Sequence, residues 1–405
     1  IEFITGHGIF FTRLLAALLV GITSYLLFKL KLKISGNRYA SIFAGLAYLI
    51  LASMYRFTFA ANTEVFFIFF TILAFNIFFS HKRYVKYFLG GLMAGIGFTI
   101  KYVVAFDILA YGAFLTYLLF IKKMPFKEFL KAGILILLGL IIPISTVVLT
   151  YALAGHFHAF QQFAFSFLVN YQDAHELKNY WDYILDIHLK YLPAFVFFYY
   201  LLYRNVIRMG KHPLSFFAVG WVIMVYLSVF LQKKSITHYS IQVFPVMAFV
   251  LSDIFILPNK TGKYIKKYTR QFLIRTFGIL LIINLINQSY YLTRRDIPRE
   301  IAAYIEPRLD EDDIVYVPAY KHIIYYLLDQ PPPTPWVHPT LFAYRHHKES
   351  LGIDVNKEVE QILQKKPEFV VFRIDPYMYE HKEYFYEHYE EVKAFGNKIF
   401  LYQRK

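Results

Sequence analysis

Mostly apolar stretches, each close to the length that crosses a bilayer, recur along this 405-residue chain and fix what it can fold into. At 1.5 Å rise per residue a spanning helix needs about 20 such residues. Candidates run near 8–28, 39–55, 64–80, 87–101, 102–121, 132–153, 191–203, 214–231, 240–257 and 272–292. The run at 87–101 is continuous with the next, and 191–203 is expected to extend backward through Trp181 and Tyr183. The chain is 57% hydrophobic, too apolar for a soluble protein of this size. Its 43 Phe and 35 Tyr suit a protein that presents aromatics to lipid and to the interfacial belts.

A net charge of +15 raises the question of nucleic acid. The basic residues lie between apolar runs and not along one polar face, so nucleic acid is excluded as a partner. Cysteine is absent, which removes disulfides, thiolate ligands and thiol nucleophiles.

The basic residues fall into two sets. Lys29, Lys31, Lys33 and Arg38 follow the first run, and Lys82, Arg83 and Lys86 the third. Lys122, Lys123, Lys127 and Lys131 follow the fifth, Arg204, Arg208 and Lys211 the seventh, and Lys260 through Arg275 the ninth. The alternate connections carry far fewer. By the positive-inside rule the basic set is cytoplasmic, which puts residue 1 and the C-terminal residues outside. A bacterial inner-membrane enzyme normally starts inside, so this topology expects at least one further helix before Ile1.

From about Leu292 charge becomes dense, and 293–405 reads as a small α/β domain after a membrane domain at 1–292. Helices are expected at Asp296–Arg308, His322–Leu328 and Val355–Lys365, with strands at Ile314–Val317, Phe369–Ile374 and Lys398–Tyr402. The fold class is therefore mainly α: a polytopic helical membrane protein of about ten spans with a small extracytoplasmic α/β domain.

Ionisable groups near membrane ends are costly and are functional candidates by default. Glu64 opens a helix after Asn62 and Thr63, either as a sugar or metal contact or as a carboxylate suited to the helix dipole. A divalent cation is thus one reading, and no other cofactor is indicated. Lys101 lies between two apolar runs with almost no loop. It is either a phosphate partner or a lysine snorkelling to headgroups, with Asp107 available to neutralise it. Lys233, Lys234, His238 and Tyr239 gather at one outer helix entrance, able to bind an anionic headgroup or simply to anchor the interface. The outer loop 155–190 holds His156, His158, Asp173, His175, Glu176, Asp182, Asp186 and His188, without a spacing specific to a metal site.

Four stretches together resemble the family 39 glycosyltransferases of the GT-C superfamily, which include protein O-mannosyltransferases and lipid A aminoarabinose transferases. Gly6 through Leu14 is similar to that family's helix start with an arginine, Arg13. Ala61-Asn62-Thr63-Glu64 takes the place of its helix-opening acidic residue. Phe98-Thr99-Ile100-Lys101-Tyr102 is similar to its Gly-rich helix ending in Thr-Lys-Gly, with Ile100 and Tyr102 departing. Lys234 through Pro245 resembles its Lys/Tyr/Pro helix entrance. The likeness spans roughly residues 5–260.

The resemblance implies a polyprenyl-phosphate sugar as donor, inversion at the anomeric carbon, and a glycan, lipid or protein acceptor. It implies that Arg13, Lys101, Lys234, His238 and Tyr239 bind the donor's lipid phosphate, and that Glu64 and Asn62 contact sugar or metal. The family's catalytic base is an aspartate on the first outer loop. Its counterpart is expected upstream of Ile1, so no catalytic residue is assigned here, and Glu2 is not given the role. The implied location is the bacterial inner membrane. The competing classes are a transporter or flippase, for which no internal repeat is found, and a non-catalytic membrane scaffold.

Overall fold

The computed structural model describes residues 9–54, 60–81, 84–166, 176–232, 237–256, 268–318, 320–338, 340–343, 345–373, 380–396 and 398–405. The chain divides into two compact units, Ile1–Gly155 with Ala174–Leu292, and His156–Asp173 with Thr293–Lys405. The second unit therefore takes in 156–173, which chain order alone assigns to the membrane part.

The first unit is helical: α1 (Ile9–Ser35), α2 (Arg38–Ser53), α3 (Thr63–Phe78), α4 (Val85–Ile100), α5 (Val104–Phe120), α6 (Phe126–Leu153), α7 (Glu176–Lys190), α8 (Leu192–Arg208), α9 (Pro213–Gln232), α10 (Val243–Leu251) and α11 (Thr269–Leu292). Local chemistry sets the breaks. Gly36, at φ +64°, closes α1 in the left-handed conformation that lacks a Cβ penalty there. Asn37 then caps α2, its side chain accepting from the Ala40 N–H at 3.0 Å.

By length and composition, five segments among the described residues suffice to cross a membrane: Ile9–Ser35, Phe126–Leu153, Pro213–Gln232, His238–Phe255 and Thr269–Tyr290. Four shorter apolar helices, α2 to α5, accompany them. The expected backward extension of the 191–203 run is present but broken: Ile184–Lys190 and Leu192–Arg208 meet at 98°. Thus 176–190 is helical and not a loop. On α6, Leu137, Leu138, Ile141, Ile142 and Leu149 are all exposed, an apolar face suited to lipid and not to water.

Between helices the packing is aromatic. Phe75 meets Trp221 edge-on at 5.0 Å between ring centroids. Asp107 is buried beside them and accepts from Trp221 Nε1 at 2.7 Å and from Thr71 at 3.4 Å, joining α3, α5 and α9. Its bonded partners are therefore these two, and Lys101 has a different carboxylate.

The second unit carries a four-stranded sheet in the order β1-β2-β4-β3: β1 (Val315–Tyr316), β2 (Phe369–Phe372), β3 (Tyr389–Ala394) and β4 (Phe400–Arg404). β1 and β2 are parallel, with Val315 opposite Phe369, and the remaining pairs are antiparallel. Helices α12 (Ile297–Ile305), α13 (Ile323–Leu327), α14 (Val355–Gln364) and α15 (Lys382–His388) belong to the same unit. The strands are shorter than expected at 315–316 and 369–372. β3 and α15 were not anticipated, because the edge strand Tyr-Glu-Glu-Val-Lys-Ala is mostly polar and lacks apolar alternation.

Candidate functional site

The site begins at a break between two helices. α4 ends at Ile100, and Lys101 is extended (φ −154°, ψ 124°) before the chain turns into α5. Lys101 keeps one backbone tie, its N–H donating to Gly97 O at 3.0 Å. An ammonium at a helix C-terminus faces the negative end of the helix dipole, which favours it. The Gly-rich sequence of α4 lets this helix lie close to its neighbours: a Cβ at Gly97 would press on the Phe70 side chain at 3.2 Å.

Glu64 stands in the first turn of α3, where the dipole favours a carboxylate. That reading is sound but incomplete. Glu64 is fully buried, and its Oε1 accepts from Lys101 Nζ in a salt bridge that ties α3 to the α4–α5 break. Thr63 Oγ1 donates to the other carboxylate oxygen at 3.3 Å. Asn62 occupies the cap position without a side-chain capping bond, and its Nδ2 is buried with no hydrogen-bond partner among the described residues. A buried amide donor left open is costly, which makes Asn62 a group that a ligand oxygen would satisfy.

The third component comes from the 3₁₀ segment Thr237–Gln242 that leads into α10. The Tyr239 ring lies under the Lys101 ammonium, with Nζ 3.7 Å from its centroid, and Phe67 flanks the same charge at 5.9 Å. His238 packs edge-on against Tyr239 at 4.8 Å and lies within electrostatic range of both Glu64 and Lys101. The structure thus gathers Glu64, Lys101, Tyr239, His238 and Asn62, which sequence order holds up to 177 residues apart (239 − 62). Arg13 is exposed in the first turns of α1 and makes no ion pair with a described residue, so the structure does not bring it into this cluster. Lys234, Lys233 and Glu2 lie outside the described residues.

The histidine- and acid-rich segment resolves differently from its sequence reading. Asp186 pairs with Lys190 at 2.5 Å along α7, and His188 Nδ1 donates to Ile184 O at 2.7 Å. His188 Nε2 then bonds the Tyr199 hydroxyl at 2.6 Å. No group of three His, Asp or Glu able to hold a metal occurs among the described residues, and Asp173 and His175 fall outside them.

Sequence reasoning missed a second charged cluster at the other end of the helices. Lys31, read as part of a basic connection, is inside α1 and buried, with Nζ 2.5 Å from Asp253 and 3.9 Å from the Phe249 ring centroid. Asn205 donates to the second Asp253 oxygen at 2.9 Å. The signal was available: Asp253 is an acidic residue inside an apolar run and so demands a partner.

The comparisons with known proteins agree with this architecture. The model of the dolichyl-phosphate-mannose-protein mannosyltransferase family matches residues 2–149. No curated protein sequence matches the chain significantly. The crystal structure of ArnT from Cupriavidus metallidurans in the apo state has a TM-score of 0.59 at 13% identity, covering 96% of this chain and 83% of that one. The structure of the same protein bound to undecaprenyl phosphate gives 0.59 and 13%, with 99% and 85% covered. The chain therefore has the fold of ArnT, and its residues 2–149 match the model of the dolichyl-phosphate-mannose-protein mannosyltransferase family.

Proposed function

We propose that this protein is a membrane glycosyltransferase that moves a sugar from a polyprenyl-phosphate donor to an acceptor hydroxyl on the outer face of the membrane. The carrying observation is that one segment joins a polar node to an apolar cavity. Tyr239 covers Lys101, and the next residues, Ser240, Val243 and Phe244, line a cavity of about 490 Å³ with Ile184, Phe195, Tyr226 and Leu227. A charged end beside an oily groove fits an amphiphile with an anionic head and an isoprenoid tail. The family match over residues 2–149 and a fold neighbour solved with undecaprenyl phosphate support the same donor class.

The described residues supply the leaving-group half of the reaction. As the bond between the anomeric carbon and phosphate oxygen breaks, negative charge grows on the phosphate, and a fixed ammonium lowers the barrier. Lys101 has three N–H donors, of which Glu64 occupies one, so a phosphate oxygen can take another without displacing the pair. Glu64 holds Lys101 in place. Committed to that ion pair, it is poorly suited to act as the base that deprotonates the acceptor. We assign the base to none of the described residues, and inversion at the anomeric carbon belongs to the proposal. Charge counting supports an outer location for residues 293–405 as part of this reading.

The test is transfer from polyprenyl-phosphate mannose in membranes carrying the full-length protein. Lys101→Ala is expected to lower turnover by at least about tenfold, the usual loss of one preorganised electrostatic contact. A well-folded Lys101→Ala protein with normal turnover removes the assignment and favours a scaffold. Undecaprenyl phosphate crossing the bilayer without sugar transfer favours a flippase.

A further inference from the structure

A cavity of about 170 Å³ opens at the Lys/Arg-rich end of the first unit, and its polar wall includes Lys31, Asn205, Arg208, His212 and Asp253. It is remote from the Glu64–Lys101 pair. Lys33 Nζ donates to Asn76 O at 2.7 Å at this end. Glu64 lies twelve residues earlier on the same helix (76 − 64), about 18 Å away at 1.5 Å per residue.

The floor of the cavity is electrically closed. Asp253 takes Lys31 on one oxygen and Asn205 on the other, so the carboxylate is committed and its charge cancelled. Arg208 is different. It is half-buried at the end of α8 and makes no ion pair with a carboxylate among the described residues. Its Nη2 donates to His212 Nε2 at 3.0 Å, which leaves the His212 proton on Nδ1 as a further donor. The turn that carries both side chains is braced, with His212 N–H on Arg208 O at 2.9 Å and the Tyr117 hydroxyl on Met209 O at 2.9 Å. Four of the five guanidinium N–H donors remain for a ligand.

An uncompensated guanidinium fork on a rigid turn matches the oxygens of a phosphate. The volume lies below the roughly 300–1,000 Å³ typical of sites for drug-sized molecules, so it suits a headgroup and not a nucleotide. Under the positive-inside rule this end faces the cytoplasm, where anionic lipids concentrate and where basic pockets between helices hold their headgroups.

We infer that the Arg208–His212 turn and the cavity behind it form a binding site for a phosphate ester, separate from the outer node and independent of the donor. A phospholipid headgroup and free phosphate share this chemistry. The experiment uses the full chain, in detergent with inorganic phosphate and in nanodiscs of phosphatidylcholine with or without phosphatidylglycerol. Phosphatidylglycerol is expected to raise the melting temperature and to be retained through purification. Arg208→Met is expected to weaken that retention about tenfold, the cost of one charge-assisted contact. Arg208→Lys should lose less, because it keeps the charge. Lys211→Met, at an exposed neighbour outside the cavity lining, should lose nothing. Stabilisation by inorganic phosphate with the same Arg208 dependence supports the site and makes free phosphate its ligand, whereas a response to the lipid alone makes it a headgroup site. Retention unchanged in Arg208→Met, or equal loss in Lys211→Met, overturns the inference.

Discussion

The Lys101 ammonium lies 3.7 Å from the centroid of the Tyr239 ring. A ring face stabilises a cation without neutralising it, by about 0.5–2 kcal/mol depending on desolvation. Lys101 is thereby held in position while its charge stays available to an anion. Tyr239→Phe keeps the ring and is expected to retain affinity for undecaprenyl phosphate. Tyr239→Leu removes the face and is expected to weaken it by about tenfold. Equal binding by both variants, measured on purified protein, contradicts a role for the ring.

The Glu64–Lys101 pair gives a sharper separation of stability from function. Removing one member of a buried ion pair leaves the other uncompensated, at about 3–5 kcal/mol, whereas replacing both with apolar groups of similar size is often neutral. Glu64→Leu and Lys101→Met alone should each lower the melting temperature. The double variant should recover most of that loss while remaining inactive in sugar transfer. A double variant as unstable as the sum of the singles argues that the residues act separately, and one with restored transfer argues that neither serves the reaction.

Much of this was legible in the sequence because lipid imposes simple rules. Apolar runs of spanning length located the helices, and Glu64 and Lys101 stood out as ionisable groups beside apolar runs, where a functional reading competes with a helix cap or a snorkelling lysine. Their pairing was not legible. It depends on the break after Ile100 bringing Lys101 onto Glu64 in the first turn of α3, and Asp107 looked an equally good partner six residues from Lys101. Lys31 was hidden for a different reason. In a run of Lys29, Lys31 and Lys33 on one helix, only three-dimensional packing decides which lysine turns inward.

That inward lysine has a measurable consequence. Lys31 ties α1 to the segment after α10 through Asp253, and to backbone through Phe249 O at 3.0 Å. Lys31→Met strands the Asp253 carboxylate in the interior and should destabilise the protein by about 3–5 kcal/mol. Asp253→Asn in the same background removes the stranded charge and should restore part of that loss. A melting temperature for Lys31→Met equal to wild type excludes the pair as a structural tie.

Close approach of α4 and α6 depends on glycine. A Cβ at Gly91 would overlap the Ile136 carbonyl, one at Gly139 would overlap the Phe88 carbonyl, and one at Gly95 would sit 2.7 Å from Leu140 O. Backbone cannot yield as a flexible side chain does, and overpacking of this kind costs about 1–3 kcal/mol. Gly91→Ala should therefore destabilise the protein, while Gly112→Ala, with nothing within 4 Å of its Cβ, should be tolerated. Denaturant melts in detergent distinguish the two, and equal stability of both variants contradicts close helix packing.

Tyr389 opens β3 in the second unit and stacks on Phe385 at 4.8 Å between centroids. Burial, with a smaller contribution from Tyr384, pushes its phenol up to about 12 from an ordinary 10.0. The neutral form is therefore favoured by folding. Stability from this group is fully present below pH 10, where the unfolded chain is also protonated, and is lost as pH rises through the folded value near 12. Tyr389→Phe cannot ionise and should flatten that part of the alkaline stability profile, leaving the profile below pH 10 unchanged. Tyrosinate absorbance followed alongside thermal melts reads both quantities. A wild-type profile as flat as that of Tyr389→Phe between pH 10 and 12 shows that this phenol is not coupled to folding.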